Sequence, residues 1–206
     1  MNSLRRFFLR ITHANPERKA NRSLLKRAKS GHVESYLVLV ANYIDLPLVY
    51  FGTSTHEDFH LRHARAEQVF IALWQHLPFA ERLSDFEYML ASALLENTPK
   101  SGGLSSPEAL VIKLRLLAPK NRLALIAYEF ENWPLHWVAL LLRIRAHSLH
   151  SLLSEARCEL CGISWESLTE EERECLEAIS AAMDKSPNIL SLIHISEPTR
   201  RRGISY

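Results

Sequence analysis

The sequence predicts an all-α protein of two small helical domains joined by a flexible linker, the second of them a helix-turn-helix. Three observations carry this. Leucine recurs at three- and four-residue spacing, as in Leu114 and Leu117, or Leu149, Leu152 and Leu153, which is the periodicity of helices with one apolar face. Only 6 of 206 residues are glycine, and few β-branched runs alternate, so strands have little support. Proline, glycine and serine gather in NTPKSGGLSSPEAL, residues 97–110, between two apolar helical stretches, and such a cluster marks a break.

The elements follow in order. Residues 1–22 read as a basic arm. Over 1–29, Arg5, Arg6, Arg10, Arg18, Lys19, Arg22, Lys26, Arg27 and Lys29 stand against one acid, Glu17, an imbalance hidden in a net charge of +2. That suits either an anionic partner such as nucleic acid or a solvated arm. The first domain, 23–97, is expected to hold helices over 23–31, 33–51, 63–77 and 83–96. After a linker over 98–107, the second domain, 108–162, carries helices over 107–117, 119–131, 135–142 and 146–161. Ser106 is a candidate N-cap, with Pro107 at the first helical position. Thr169 precedes three glutamates whose charge suits a helix start, so 163–189 supplies an extra C-terminal helix over about 170–184. Helix 135–142, a turn from Arg143 to His147 and a helix from Ser148 have the dimensions of a helix-turn-helix, dimensions that helical hairpins of other function share.

Several function classes are disfavoured. No run of about 18 uncharged apolar residues occurs, so no membrane span is expected. MNSLRRFFLRI has too short an apolar run for a secretory signal, which points to the cytoplasm. The three cysteines, Cys158, Cys161 and Cys175, are an odd number and suggest no disulfide framework. HEDFH, residues 56–60, has the letters of a zinc hydrolase, with His56 and His60 as ligands and Glu57 polarising a water. Its polar neighbours, Thr53 to Thr55, Asp58 and Arg62, fit a solvated connector instead, and His63 stands where the longer motif needs glycine. Cys158 and Cys161 form a C-x-x-C pair with His147 and His150 upstream, but along one helix the two pairs are more than two turns apart. Neither a catalytic residue nor a metal or other cofactor is expected.

LLKRAKSGHVESYLVLVANY (24–43, with Gly31 at its break), AEQVFIALWQHLPFAERLSDFEYML (66–90) and LLAPKNRLALIAYEFENWPLHWVALLLRIRAHSLHSLLSEAR (116–157) together resemble the extracytoplasmic-function branch of bacterial sigma factors. The resemblance covers about residues 23–160. It implies a helical domain that binds RNA polymerase core and melts promoters, a linker, and a helix-turn-helix domain that reads promoter DNA. RNA polymerase core, promoter DNA and an anti-sigma protein are the partners it implies. Glu67, Gln68, Phe70 and Trp74 would dock on the polymerase clamp. Phe86 and Tyr88 would capture the melted strand, and His147, Ser148, His150, Ser151 and Arg157 would contact the upstream promoter element.

The chain departs from the family pattern where it should touch partners. Ala64 replaces the leading acid of the clamp segment, and Met89 replaces a tryptophan of the melting helix. No Lys or Arg occurs between Arg82 and Lys100, while Asp85, Glu87 and Glu96 are acidic, a charge that repels a strand of phosphates. Arg143 takes the place of the turn glycine, and Leu152 and Glu155 fall at usually basic positions of the reading helix. A second reading follows, an interaction protein of sigma-like fold that has lost promoter melting and modulates polymerase or binds a protein. Phe70, Leu73 and Trp74 also fit an apolar core stripe, and Trp133 and Trp137 fit packing within the helix-turn-helix. Residues 190–206 are expected to be non-native, since LSLIHISEPTR resembles the translation of a transposon mosaic-end adapter used in preparing sequencing libraries.

Overall fold

The computed structural model describes residues 14–54, 59–98 and 109–185. Every regular element among them is helical. Helices α1 (Ala14–Lys29), α2 (Val33–Tyr43), α3 (Asp45–Ser54), α4 (Phe59–His76) and α5 (Leu83–Glu96) form the first half. The second half has α6 (Ala109–Leu116), α7 (Pro119–Leu125), α8 (Leu135–Leu141), α9 (Ala146–Cys161) and α10 (Glu170–Lys185). Short 3-10 turns occupy Leu77–Phe79 and Trp165–Ser167, and a π-helical segment, Ile126–Phe130, extends α7. No single helix among the described residues is long and apolar enough to cross a membrane.

Local chemistry explains the helix ends. Gly31 ends α1 at φ +88°, donating to Ala28 O at 2.9 Å while His32 N–H donates to Arg27 O at 3.1 Å. This paired closure needs a left-handed residue, which glycine adopts without a Cβ penalty. Pro119 opens α7 at the first turn, where a missing N–H costs nothing. At α10, Thr169 N–H donates to Glu172 Oε2 at 2.8 Å and Glu172 N–H donates to Thr169 Oγ1 at 3.3 Å, the reciprocal cap expected there.

Four boundaries differ from expectation, the first being the helix expected over 63–77, which begins at Phe59 and takes in His60 and Arg62. The arm expected over 1–22 is helical from Ala14, because Ala, Glu, Arg and Lys favour helix and the segment is anchored: Asn42 Nδ2 donates to Asn21 Oδ1 at 2.8 Å. The single helix expected over 33–51 is two, meeting at 49°. Pro47 lies just past the bend, with no N–H to donate to the Tyr43 carbonyl and a ring that crowds it. The helix expected over 119–131 widens into the π segment and stops at Asn132, which has φ +53°. Ser106, Pro107, His56, Glu57 and the adapter-like tail lie outside the described residues, as does the expected linker apart from Thr98.

One continuous cluster of buried apolar residues runs from Leu25 on α1 to Ala156 on α9. Helix α5 supplies Leu83, Phe86, Leu90, Ala91 and Leu94, and it packs against α1 and α4 of the first half and α7 and α8 of the second. Helix α3 likewise meets α6 and the π segment. The two halves therefore share a core among the described residues. Units this small bury a modest fraction of their surface alone, and packing on α5 and α3 increases it.

Candidate functional site

The α8–turn–α9 unit holds most of the expected DNA contacts. Helix α8 closes as α1 does: Arg143 N–H donates to Leu140 O at 3.2 Å and Ile144 N–H to Ala139 O at 3.0 Å. Here the left-handed residue is Arg143 itself, at φ +48°. Leu149, Leu153 and Ala156 bury one face of α9. His147 and Ser148 are exposed on its first turn, while His150 and Ser151 are half-buried. Ser151 Oγ donates back to His147 O at 3.4 Å. Arg157, expected at DNA, is instead committed inside the fold. It donates to Glu129 Oε1 at 2.6 and 3.1 Å, bonds Ser180 of α10, and lies 5.7 Å from the Tyr128 ring.

Helix α5 departs further from expectation. Phe86 is fully buried, edge-on to Tyr43 at 5.5 Å, so its ring is part of the core and is not presented to a nucleic acid base. Tyr88 is half-buried, with the Arg143 guanidinium 3.9 Å above its ring. The acids expected to repel phosphate are largely neutralised. Asp85 Oδ1 pairs with Arg143 at 3.1 Å. Glu87 is buried, pairs with Arg18 Nη2 at 2.6 Å and accepts from the Tyr43 hydroxyl at 2.8 Å. Burial pushes the Glu87 carboxyl above the usual carboxylate range, against the pull of Arg18 and Tyr43. Burial, then the adjacent Glu87, pushes the Tyr43 hydroxyl up as well, which keeps it a donor.

On α4 the expected polymerase-binding set divides. Glu67 and Gln68 are exposed. Phe70 is buried and its carbonyl accepts the Tyr36 hydroxyl, and Trp74 packs 4.8 Å from the Tyr36 ring. Ile71, 53% exposed, shares the outer face with Glu67, Gln68 and Gln75 by helical spacing.

Among the described residues no three His, Cys, Asp or Glu side chains gather as a metal site. Cys158 is buried and Cys161 exposed, and burial raises the Cys158 thiol. His147 lies at the far end of the same helix, roughly 16 Å away along the axis.

No family model, curated protein or solved structure matches this chain. Function therefore rests on the residues themselves. Reading the sequence misses the Arg18–Glu87 pair and the reach of Arg143 to α5. A signal exists for the first: Glu87 falls within the buried stripe of α5 beside Phe86, Leu90, Ala91 and Leu94, and a carboxylate there needs a partner.

Proposed function

We propose that this chain is a sigma-like transcription initiation factor, a cytoplasmic two-domain protein that binds RNA polymerase core and directs it to promoter DNA. The observation that carries the reading is the turn between α8 and α9. Arg143 adopts a left-handed conformation at the position where the sigma pattern has its glycine, and a helix of helix-turn-helix proportions follows. His147 and Ser148, with His150 and Ser151 one turn on, are the proposed DNA edge, the hydroxyls suited to phosphate and the imidazoles to base edges or phosphate. Glu67, Gln68 and Ile71 are the proposed polymerase-docking face, with Phe70 and Trp74 holding that helix in place. Arg157 positions α9 against α10, and Phe86 positions α5. An anti-sigma protein is a further proposed partner.

A second reading, an interaction protein that modulates polymerase without melting DNA, is favoured by one observation. Neither aromatic of α5 is open, since Phe86 is core and Tyr88 lies under Arg143. The test is a pull-down of bacterial RNA polymerase core with the chain, followed by transcription from a promoter library at two salt concentrations. Core binding with promoter-selective, salt-sensitive transcripts supports the first reading. Core binding without transcripts supports the second, and absence of core binding overturns both.

A further inference from the structure

A groove of about 770 Å³ lies between α1, the residues leading into α5, and α8. Arg18, Arg22, Lys26 and Lys29 recur at helical spacing along its α1 wall, over roughly 16 Å. Arg82 and Ser84 face them from the start of α5, and among the described residues Glu81 is the one acid in the lining. Two of the cations are already used. Arg18 holds Glu87 and lies 4.8 Å from the Trp137 ring, and Lys29 donates to Ala80 O at 2.7 Å. Arg22 and Lys26 are exposed and one turn apart, and the Arg22 charge lies close enough to lower the Glu87 carboxyl. The α8 wall is different in kind, with Trp137 and Leu140.

We infer that this groove binds a nucleoside polyphosphate, its phosphates between Arg22, Lys26 and Arg82 and its base toward Trp137 and Leu140. The volume falls in the range of small-ligand sites. Two exposed cations one turn apart, opposed by a third, suit adjacent phosphoryl groups, whereas a solvated helix face needs no concave apolar wall opposite. The inference uses neither the α9 edge nor the α4 face, and because α8 belongs to the second half the groove exists only while the two halves are together.

Calorimetric titration of the full chain with ATP, GTP, inorganic tripolyphosphate and a single-stranded DNA oligonucleotide bearing a 5′-hydroxyl tests it. The expected result is binding of the nucleoside triphosphates, weaker binding of tripolyphosphate, and a loss of about tenfold or more in the Arg22→Glu/Lys26→Glu variant, equivalent to about 1.4 kcal/mol. Both side chains are exposed, and an unchanged circular dichroism spectrum shows the variant folded. Failure of either triphosphate to bind, or binding indifferent to the charge reversal, overturns the site. Tripolyphosphate binding as tightly as the nucleotides overturns the nucleoside assignment. An oligonucleotide that outcompetes them overturns the small-ligand assignment in favour of a strand.

Discussion

Arg143 occupies backbone space that suits glycine, and its side chain offsets the cost. A non-glycine residue in the left-handed region costs about 1–2 kcal/mol. Against this, the half-exposed pair with Asp85 contributes about 0–1 kcal/mol and the guanidinium over Tyr88 about 0.5–1 kcal/mol. Arg143→Gly removes strain and contacts together, so urea unfolding should place it within about 1 kcal/mol of the parent. Arg143→Ala removes the contacts and keeps the strain, so it should lose about 1 kcal/mol. Equal losses in the two variants would show that the turn is not strained. Glu87 presents the opposite case, a pair whose energy lies in not being broken. Glu87→Gln leaves the Arg18 charge without its counterion in a site where that side chain is 11% exposed, and the expected loss is about 3 kcal/mol. Arg18→Met/Glu87→Leu removes both charges and should recover most of it. A double variant as unstable as the single one would mean the pair organises the interface beyond its own charge balance.

Helix α10 shows what an element's sequence discloses. Thr169 N–H and hydroxyl bond the Glu172 carboxylate and hold it below the usual glutamate value of 4.5. A carboxyl depressed in the folded state supplies stability that is complete above its unfolded value and lost as pH falls through the folded one. Protection of the Glu172 and Arg173 amides, read as exchange relative to the intrinsic rate at each pH, should therefore fall as pH drops below about 4.5, and Glu172→Gln should remove that acid-dependent part. Acid sensitivity identical in the variant would assign it to other carboxylates. This cap was legible because its residues are three apart. For the same reason α5 and α9 begin and end where their periodicity and flanking residues place them. The bend before Pro47 had a signal in the proline itself. The site was less legible. Arg18 meets Glu87 across 69 positions and Arg157 meets Glu129 across 28, and periodicity along one helix carries no information about a side chain on another. Phe86 could be read as core from its spacing with Leu83, Leu90 and Leu94, but its aromatic character fitted a stacking role equally well.

At the scale of the molecule, the junction of the halves connects fold to function. Tyr43 lies edge-on to Phe86 and, at 5.8 Å, to Trp133. Arg18 spans α1, α5 and α8, and Arg143 closes the outer edge. A core continuous across that junction predicts one cooperative unfolding transition, with the helical signal and tryptophan fluorescence changing together. Two separated transitions would mean that the halves fold independently. On the sigma-like reading the halves must part, because α5 has to expose Tyr88 while α9 reaches a separate DNA element. The ten-residue stretch expected as linker, 98–107, reaches at most about 35 Å when extended. Apparent affinity for polymerase core is then reduced by the fraction of chains that are open. Arg143→Gly is the informative variant, because it removes the clasp while relieving the turn and so weakens the junction without unfolding either half. Loss of about 1 kcal/mol of closing energy should raise core affinity about fivefold. Unchanged or weaker binding by that variant would show that polymerase accepts the chain with its halves together, which places the docking face on α4 alone.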